Sequence, residues 1–270
     1  MSASGSSRQI LRLLKKGGVT QLLRQDLSPA SFLHSIPLRR DESRPDIVNM
    51  VVEIPRCTSA KFEISLKKDH NPIVQDIKNG KPRFIKDTNE FIGYPLNYGA
   101  MPRTFESKNH NPLIELYGDL NDEEAKLFGD EDPLDCVDIS KDLIYDTGSI
   151  IQLKILGCLP MIDDGELDFK VIGISVESKE ADHLNSLDDV EKSRPGFLKS
   201  IHDFYRDYKK PDNVVTFFRD GTLIEKEMTL RIIKSLESQY EKEFGDSKKE
   251  HAVGDAADFD YPVVYTSIEK

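Results

Sequence analysis

Two periodicities divide the chain. Up to about residue 180, apolar positions alternate with polar ones or gather in short β-branched blocks; beyond it they recur three and four apart. The block Ile47 to Ile54, ended by Pro55, predicts a strand. In Ala60 to Leu66, Phe62, Ile64 and Leu66 face one way and Lys61, Glu63 and Ser65 the other. Ser149 to Leu156 and Asp168 to Ser175 alternate likewise, with Asp168 and Lys170 on one face and Phe169 and Val171 on the other. Val19 to Arg24 predicts a short strand, Phe32 to Leu38 a segment tucked onto the body, and Gly93 to Gly99 an extended run. Leu113 to Tyr117 fits either type, and Asn79-Gly80 and Asp163-Asp164-Gly165 read as turns. After Pro195-Gly196, Phe197, Ile201, Phe204 and Tyr208 mark a helix. Thr222 to Phe244 is the longest helical candidate, with Ile233, Leu236, Tyr240 and Phe244 on one stripe.

Strands followed by helices, with no βαβ alternation, give an α+β class in which many short strands favour a barrel over an open parallel sheet. A length of 270 residues allows one large domain. The division predicted is a single domain over 1–245 with an N-terminal extension over 1–46, then a loosely held tail over 246–270.

Composition then removes function classes. A net charge of −11 argues against nucleic acid, and no apolar run approaches the length of a membrane span. Cys57, Cys136 and Cys158 are odd in number and widely spaced, which suits a reducing compartment rather than a disulfide framework or a zinc site.

The strongest chemical signal is Gly129 to Asp138, with five carboxylates between Asp130 and Asp138. Like charges 4 Å apart repel by about 4 kcal/mol at an effective dielectric of 20, so water or cations must intervene. Leu134, Cys136 and Val137 interrupt the acids and call for burial, and Pro133 stiffens the loop, so a rack of oxygens for hard divalent cations competes with a plain charged turn. An EF-hand loop fits poorly, because Leu134 and Asp135 stand where it needs Asp and Gly. An aspartyl-phosphate phosphatase would not carry Pro133-Leu134 after its second Asp. Lys61 with Glu63, and Asp168 with Lys170, each read as a solvated strand face when taken singly. Joined to the acid cluster, they suggest a polyanion held through metals and basic side chains.

Asp130-x-Asp132-Pro133-Leu134-Asp135 resembles the signature of the family I soluble inorganic pyrophosphatases in their longer eukaryotic form. Asn49 to Arg56, Ala60-Lys61-Phe62-Glu63, Asn71 to Asp76, Gly80-Lys81 and Arg83-Phe84 resemble further family segments in the same order. So do Gly93-Tyr94, Asn97 to Ala100, Asp163 to Lys170 and Tyr205 to Lys209, so that the resemblance runs from roughly residue 7 to 210. It implies a small closed, OB-like antiparallel β-barrel with flanking strands and two main C-terminal helices. It also implies Mg²⁺-dependent hydrolysis of diphosphate to two orthophosphates. In that reading Asp130, Asp135, Asp168, Asp163 and Glu63 hold Mg²⁺, and Asp132 is the base for the attacking water. Arg83, Lys61, Tyr98, Lys170, Tyr208 and Lys209 hold phosphate, Tyr94 is a candidate acid, and Glu53 supports the site from behind. The alternatives are a hydrolase of another phosphoanhydride and a non-catalytic protein of the same fold.

The chain departs from the family where Cys57, Phe105 and Phe169 stand in place of Trp, and Pro211-Asp212-Asn213-Val214 lacks the usual Gly and Lys. Fungal-type relatives imply a homodimer, with Cys57 at the position of a Trp near that contact. The basic, Ser-rich first 25 residues read as a mitochondrial transit peptide or as an N-terminal arm. Ser7 to Ile10 and Phe32 to Leu38 resemble the opening of cytosolic members, which favours the cytoplasm, with the mitochondrion as the alternative.

Overall fold

The computed structural model describes residues 9–88, 91–210, 215–250, 259–260 and 265–267. Five strands are paired in the order Glu166–Ser175, Asp135–Asp138, Asn97–Ala100, Ile47–Ile54, Ile150–Asp163, and the last also pairs with the first. The class is α+β, with helices α1 (Pro112–Leu116), α2 (Leu187–Ser193), α3 (Phe197–Asp207) and α4 (Lys226–Glu250). Among these five strands one pairing differs from the antiparallel expectation. Asp135–Asp138 runs parallel to Glu166–Ser175, with Asp135 opposite Lys170. A parallel pair needs a long crossover, and the chain between Asp138 and Glu166 supplies it by laying down Ile150–Asp163.

Two apolar cores flank this sheet. On one side α4 sets Ile232, Ile233, Leu236 and Tyr240 inward, with the first three against Val48, Met50, Leu153 and Phe169. On the other, Ile201, Phe204, Tyr205 and Tyr208, from α3 and its C-terminal end, pack against Ile172, Leu159 and Tyr98. The start of α3 is set by Gly196, whose φ of 80° is left-handed and costs a glycine little.

The N-terminal extension forms a third core. Leu22, Phe32, Leu33 and Ile36 are buried with Ile64, Ile73 and Tyr240. Its hairpin, Arg12–Lys16 with Val19–Leu23, pairs with Ile73–Gln75, which in turn pairs with Phe62–Ile64. Phe32 to Leu38 is tucked in as its apolar content requires, and His34 Nδ1 lies 2.9 Å from the Tyr240 hydroxyl. At the other end α4 runs through Glu250, into the stretch expected to be loosely held, and Tyr265–Ser267 pairs with Leu143–Tyr145. The segment Pro211 to Val214 and residues 1–8 lie outside the described residues. Among the described residues no helix is long and apolar enough to cross a membrane.

Candidate active site

A loop between two buried segments creates the acid rack. Asp130 Oδ1 accepts the Asp132 amide at 3.0 Å, which turns the chain at Glu131, whose φ is 68°. The segment 101–106 grips this loop through its backbone. Met101 and Glu106 donate to the Leu134 and Asp132 carbonyls, and Glu131 donates to the Glu106 carbonyl. Thr104 Oγ1 takes the Leu134 amide at 2.9 Å. Leu134, Cys136 and Val137 are fully buried beneath, so Asp130, Asp132 and Asp135 project from a fixed base.

The neighbouring strand Glu166–Ser175 supplies Asp168 and Lys170, because their partners across the pleat, Leu167, Phe169 and Val171, are in the core. A two-residue turn at Asp164-Gly165, with φ of 50° and 88°, places Asp163 beside them. Glu53 comes from the end of Ile47–Ile54, Lys61 and Glu63 from the flanking sheet, and Tyr98 from Asn97–Ala100. Tyr208 and Lys209 follow the last turn of α3. All fourteen positions expected from the sequence line one pocket of about 270 Å³.

Within it, charge is unevenly balanced. Lys170 is 2% exposed and pairs with both Asp135 and Asp168. Burial alone would depress its pKa, and those two carboxylates outweigh burial and hold it well above the usual lysine value. Lys209 pairs with Asp163, and the Tyr98 hydroxyl donates to Asp135. Lys61 sits 2.8 Å from Glu63 and 3.4 Å from Asp76, and Arg83 lies 2.5 Å from Asp76. Burial and then Asp168 push Asp130 up to about 8; the surrounding pocket walls and then Asp135 push Asp132, which keeps an exposed edge, up to about 7. The Tyr94 and Tyr98 hydroxyls are raised by burial and stay protonated near neutrality.

Three residues carry weight that the sequence reading missed. Asp76 spans Lys61 and Arg83 and fixes their spacing; the available signal was an acid just ahead of the basic run Lys78, Lys81, Arg83. Glu106 is 2% exposed behind the rack, with burial and then Asp130 holding its carboxyl well above the carboxylate range. Its only signal was an acid beside a buried aromatic. Lys78 lines the pocket from a hairpin and gave no signal. Of the two remaining acids of the cluster, Glu131 is exposed and pairs with Lys108 at 2.8 Å. Asp138 is wholly buried, accepting from Asn97, Ser140 and Ser175.

Among the described residues no three acidic groups close on a single point; Lys170 stands between Asp135 and Asp168, and Lys209 holds Asp163. The donor set still fits a hard divalent cation. It is all oxygen, and the raised Asp130 and Asp132 mark negative charge that the lysines leave uncompensated.

The inorganic pyrophosphatase family matches residues 50–241. An inorganic pyrophosphatase of Kluyveromyces lactis is 40% identical over 224 residues, 82% of this chain and 73% of the relative. A mitochondrial inorganic pyrophosphatase of Saccharomyces cerevisiae is 45% identical over 181 residues, 67% of this chain and 56% of the relative. The structure of the Schistosoma japonicum inorganic pyrophosphatase superposes with a TM-score of 0.76 at 36% identity, covering 87% of this chain and 80% of that one. By sequence and by fold, this chain belongs to the inorganic pyrophosphatase family.

Proposed function

We propose that the protein hydrolyses diphosphate to two orthophosphates with Mg²⁺. The observation that carries this reading is the single pocket in which a carboxylate rack faces Lys61, Arg83, Lys170 and Lys209. Asp130, Asp135 and Asp168, with Asp163 and Glu63, would hold the cations; bound Mg²⁺ lowers the pKa of water and neutralises charge on phosphate oxygens. Asp132 takes the proton of the attacking water, a task suited to a carboxyl poised near neutrality. Arg83, Lys61 and Lys209 bind phosphate oxygens, and their pairing with Asp76, Glu63 and Asp163 holds the side chains extended beforehand. Lys170 stabilises charge next to the electrophilic phosphorus. Tyr98 and Tyr208 donate hydrogen bonds, Tyr94 is the candidate proton donor to the leaving phosphate, and Glu53, which accepts the Ile64 amide at 2.6 Å, steadies the strand beyond Glu63. Neither step needs a covalent intermediate.

The same reading takes the ring of five paired strands as a small closed, OB-like barrel, and places the protein in the cytoplasm as a homodimer. The test is phosphate release from diphosphate with Mg²⁺ present and then chelated. Activity should appear only with the metal. Asp132→Asn should lose about 10²-fold or more in kcat, the range for a general base, while its circular dichroism is unchanged. Wild-type protein that binds Mg²⁺ without releasing phosphate would sink the reading.

A further inference from the structure

The turn that opens the 101–106 segment is built against its own propensity. Pro102 and Arg103 occupy it, and Arg103 has a φ of 56°. A left-handed residue directly after Pro is the place for Gly or Asn, and a residue with a Cβ is strained there. Such strain persists only where the surroundings over-determine it. Arg103 is held twice. Its amide donates to the Leu33 carbonyl and its Nε to the His34 carbonyl, both at 3.1 Å. Leu33 and His34 are buried in the N-terminal extension, so their carbonyls must find donors inside the protein. The bond from Nε comes from a charged donor and is the stronger kind.

The same junction reaches α4. His34 Nδ1 lies 2.9 Å from the Tyr240 hydroxyl, and the Phe105 amide donates to the Leu236 carbonyl at 3.2 Å. Phe105 also meets Phe244 edge-on, with ring centroids 5.0 Å apart. Beyond Arg103 the segment passes its bonds to the acid loop. Thr104 Oγ1 takes the Leu134 amide at 2.9 Å, and the Glu106 carbonyl takes the Glu131 amide at 2.8 Å. Arg103 is not among the described residues that line the catalytic pocket.

We propose that Arg103 is a positioning residue for the acid rack. The bond from its side chain to the His34 carbonyl fixes the 101–106 segment against the N-terminal extension, and that segment fixes Asp130, Asp132 and Asp135. The N-terminal extension thereby acts on the chemistry from outside the pocket. This assignment rests on the diphosphate reading above for what the rack does, and on the metal-free protein for how the rack is held.

The experiment follows amide hydrogen exchange in metal-free wild type, Arg103→Gly and Arg103→Lys. Glycine adopts the left-handed conformation without strain, so Arg103→Gly removes the side-chain bond, relieves the turn and keeps the fold. The Glu131 and Leu134 amides should exchange about tenfold faster than in wild type, as expected for the loss of one hydrogen bond from a charged donor. Those of Leu153 and Val171, buried in the central sheet, should change less than twofold. Arg103→Lys keeps a charged donor and should return the loop amides to within threefold of wild type. Calorimetric titration of Mg²⁺ should give a Kd about tenfold higher for Arg103→Gly, while KM for diphosphate at saturating Mg²⁺ stays within twofold. Unchanged exchange at Glu131 and Leu134 would overturn the proposal. So would an equal acceleration at Leu153 and Val171, which is what a general loss of stability produces. If wild type bound Mg²⁺ and released no phosphate, the diphosphate reading would fall alone, and the exchange rates would still decide the role of Arg103.

Discussion

Asp130 and Asp132 stand two residues apart, and both hold protons far above the usual carboxylate range, Asp130 to about 8 and Asp132 to about 7. Raised carboxyls bind more protons folded than unfolded between about pH 4 and these values. Their contribution to stability is therefore full below the unfolded carboxylate pKa and is lost as pH rises through 7 and 8. A bound cation reverses this by favouring the ionised forms, and its binding expels the protons. The expected outcome is a Mg²⁺-induced rise in Tm that grows from pH 5.5 to 8.5. Thermal denaturation with and without metal at each pH cancels the unrelated titrations, and a rise independent of pH would contradict it. At this scale much of the site was legible. The spacing of Asp130, Asp132 and Asp135 needs only one short loop, and Lys61, Asp168 and Lys170 are placed by strand alternation alone. Asp76 and Glu106 were not legible, because each acquires meaning from partners far along the chain.

At the scale of elements, the rack is only as rigid as the backbone bonds from 101–106. Gly129 is where that grip is tightest. A Cβ there would lie 2.2 Å from the Glu106 carbonyl oxygen, which is backbone and cannot swing aside. Gly129→Ala should cost about 1–3 kcal/mol in chemical denaturation, the usual range for overpacking, and lower kcat more than Tm alone explains, since the shift is delivered to Asp130 and Asp132. Strand Ile150–Asp163 extends seven residues beyond the alternating stretch that announced it. Leu156, Cys158, Leu159 and Met161 are all buried, and a strand covered on both faces loses its alternation. The last helix begins at Lys226 rather than Thr222 because Ile224–Glu225 pairs with Gly157–Cys158 first. The parallel register of Asp135 with Lys170 had no sequence signal. It is set by which strands meet, and no local pattern encodes that.

Across the whole molecule, site residues run from Glu53 to Lys209 and come from both flanks of the sheet. Unfolding anywhere in the ring would therefore dissolve the candidate cation site, and ligand binding should add to global stability by linkage, about 2.7 kcal/mol at a hundred times Kd. The N-terminal extension belongs to this unit. Its hairpin takes Val74 and Ile73 as partners through Val19 and Thr20, and Ile73–Gln75 in turn carries the strand of Lys61 and Glu63. If residues 1–24 were deleted, the row of backbone amides and carbonyls on Ile73–Gln75 would be left open to another molecule. Exposed rows of this kind template chain-to-chain association. The truncated protein should show concentration-dependent light scattering under conditions where the full chain shows none, which would make this hairpin a guard against aggregation as well as a prop for the segment that carries Lys61 and Glu63.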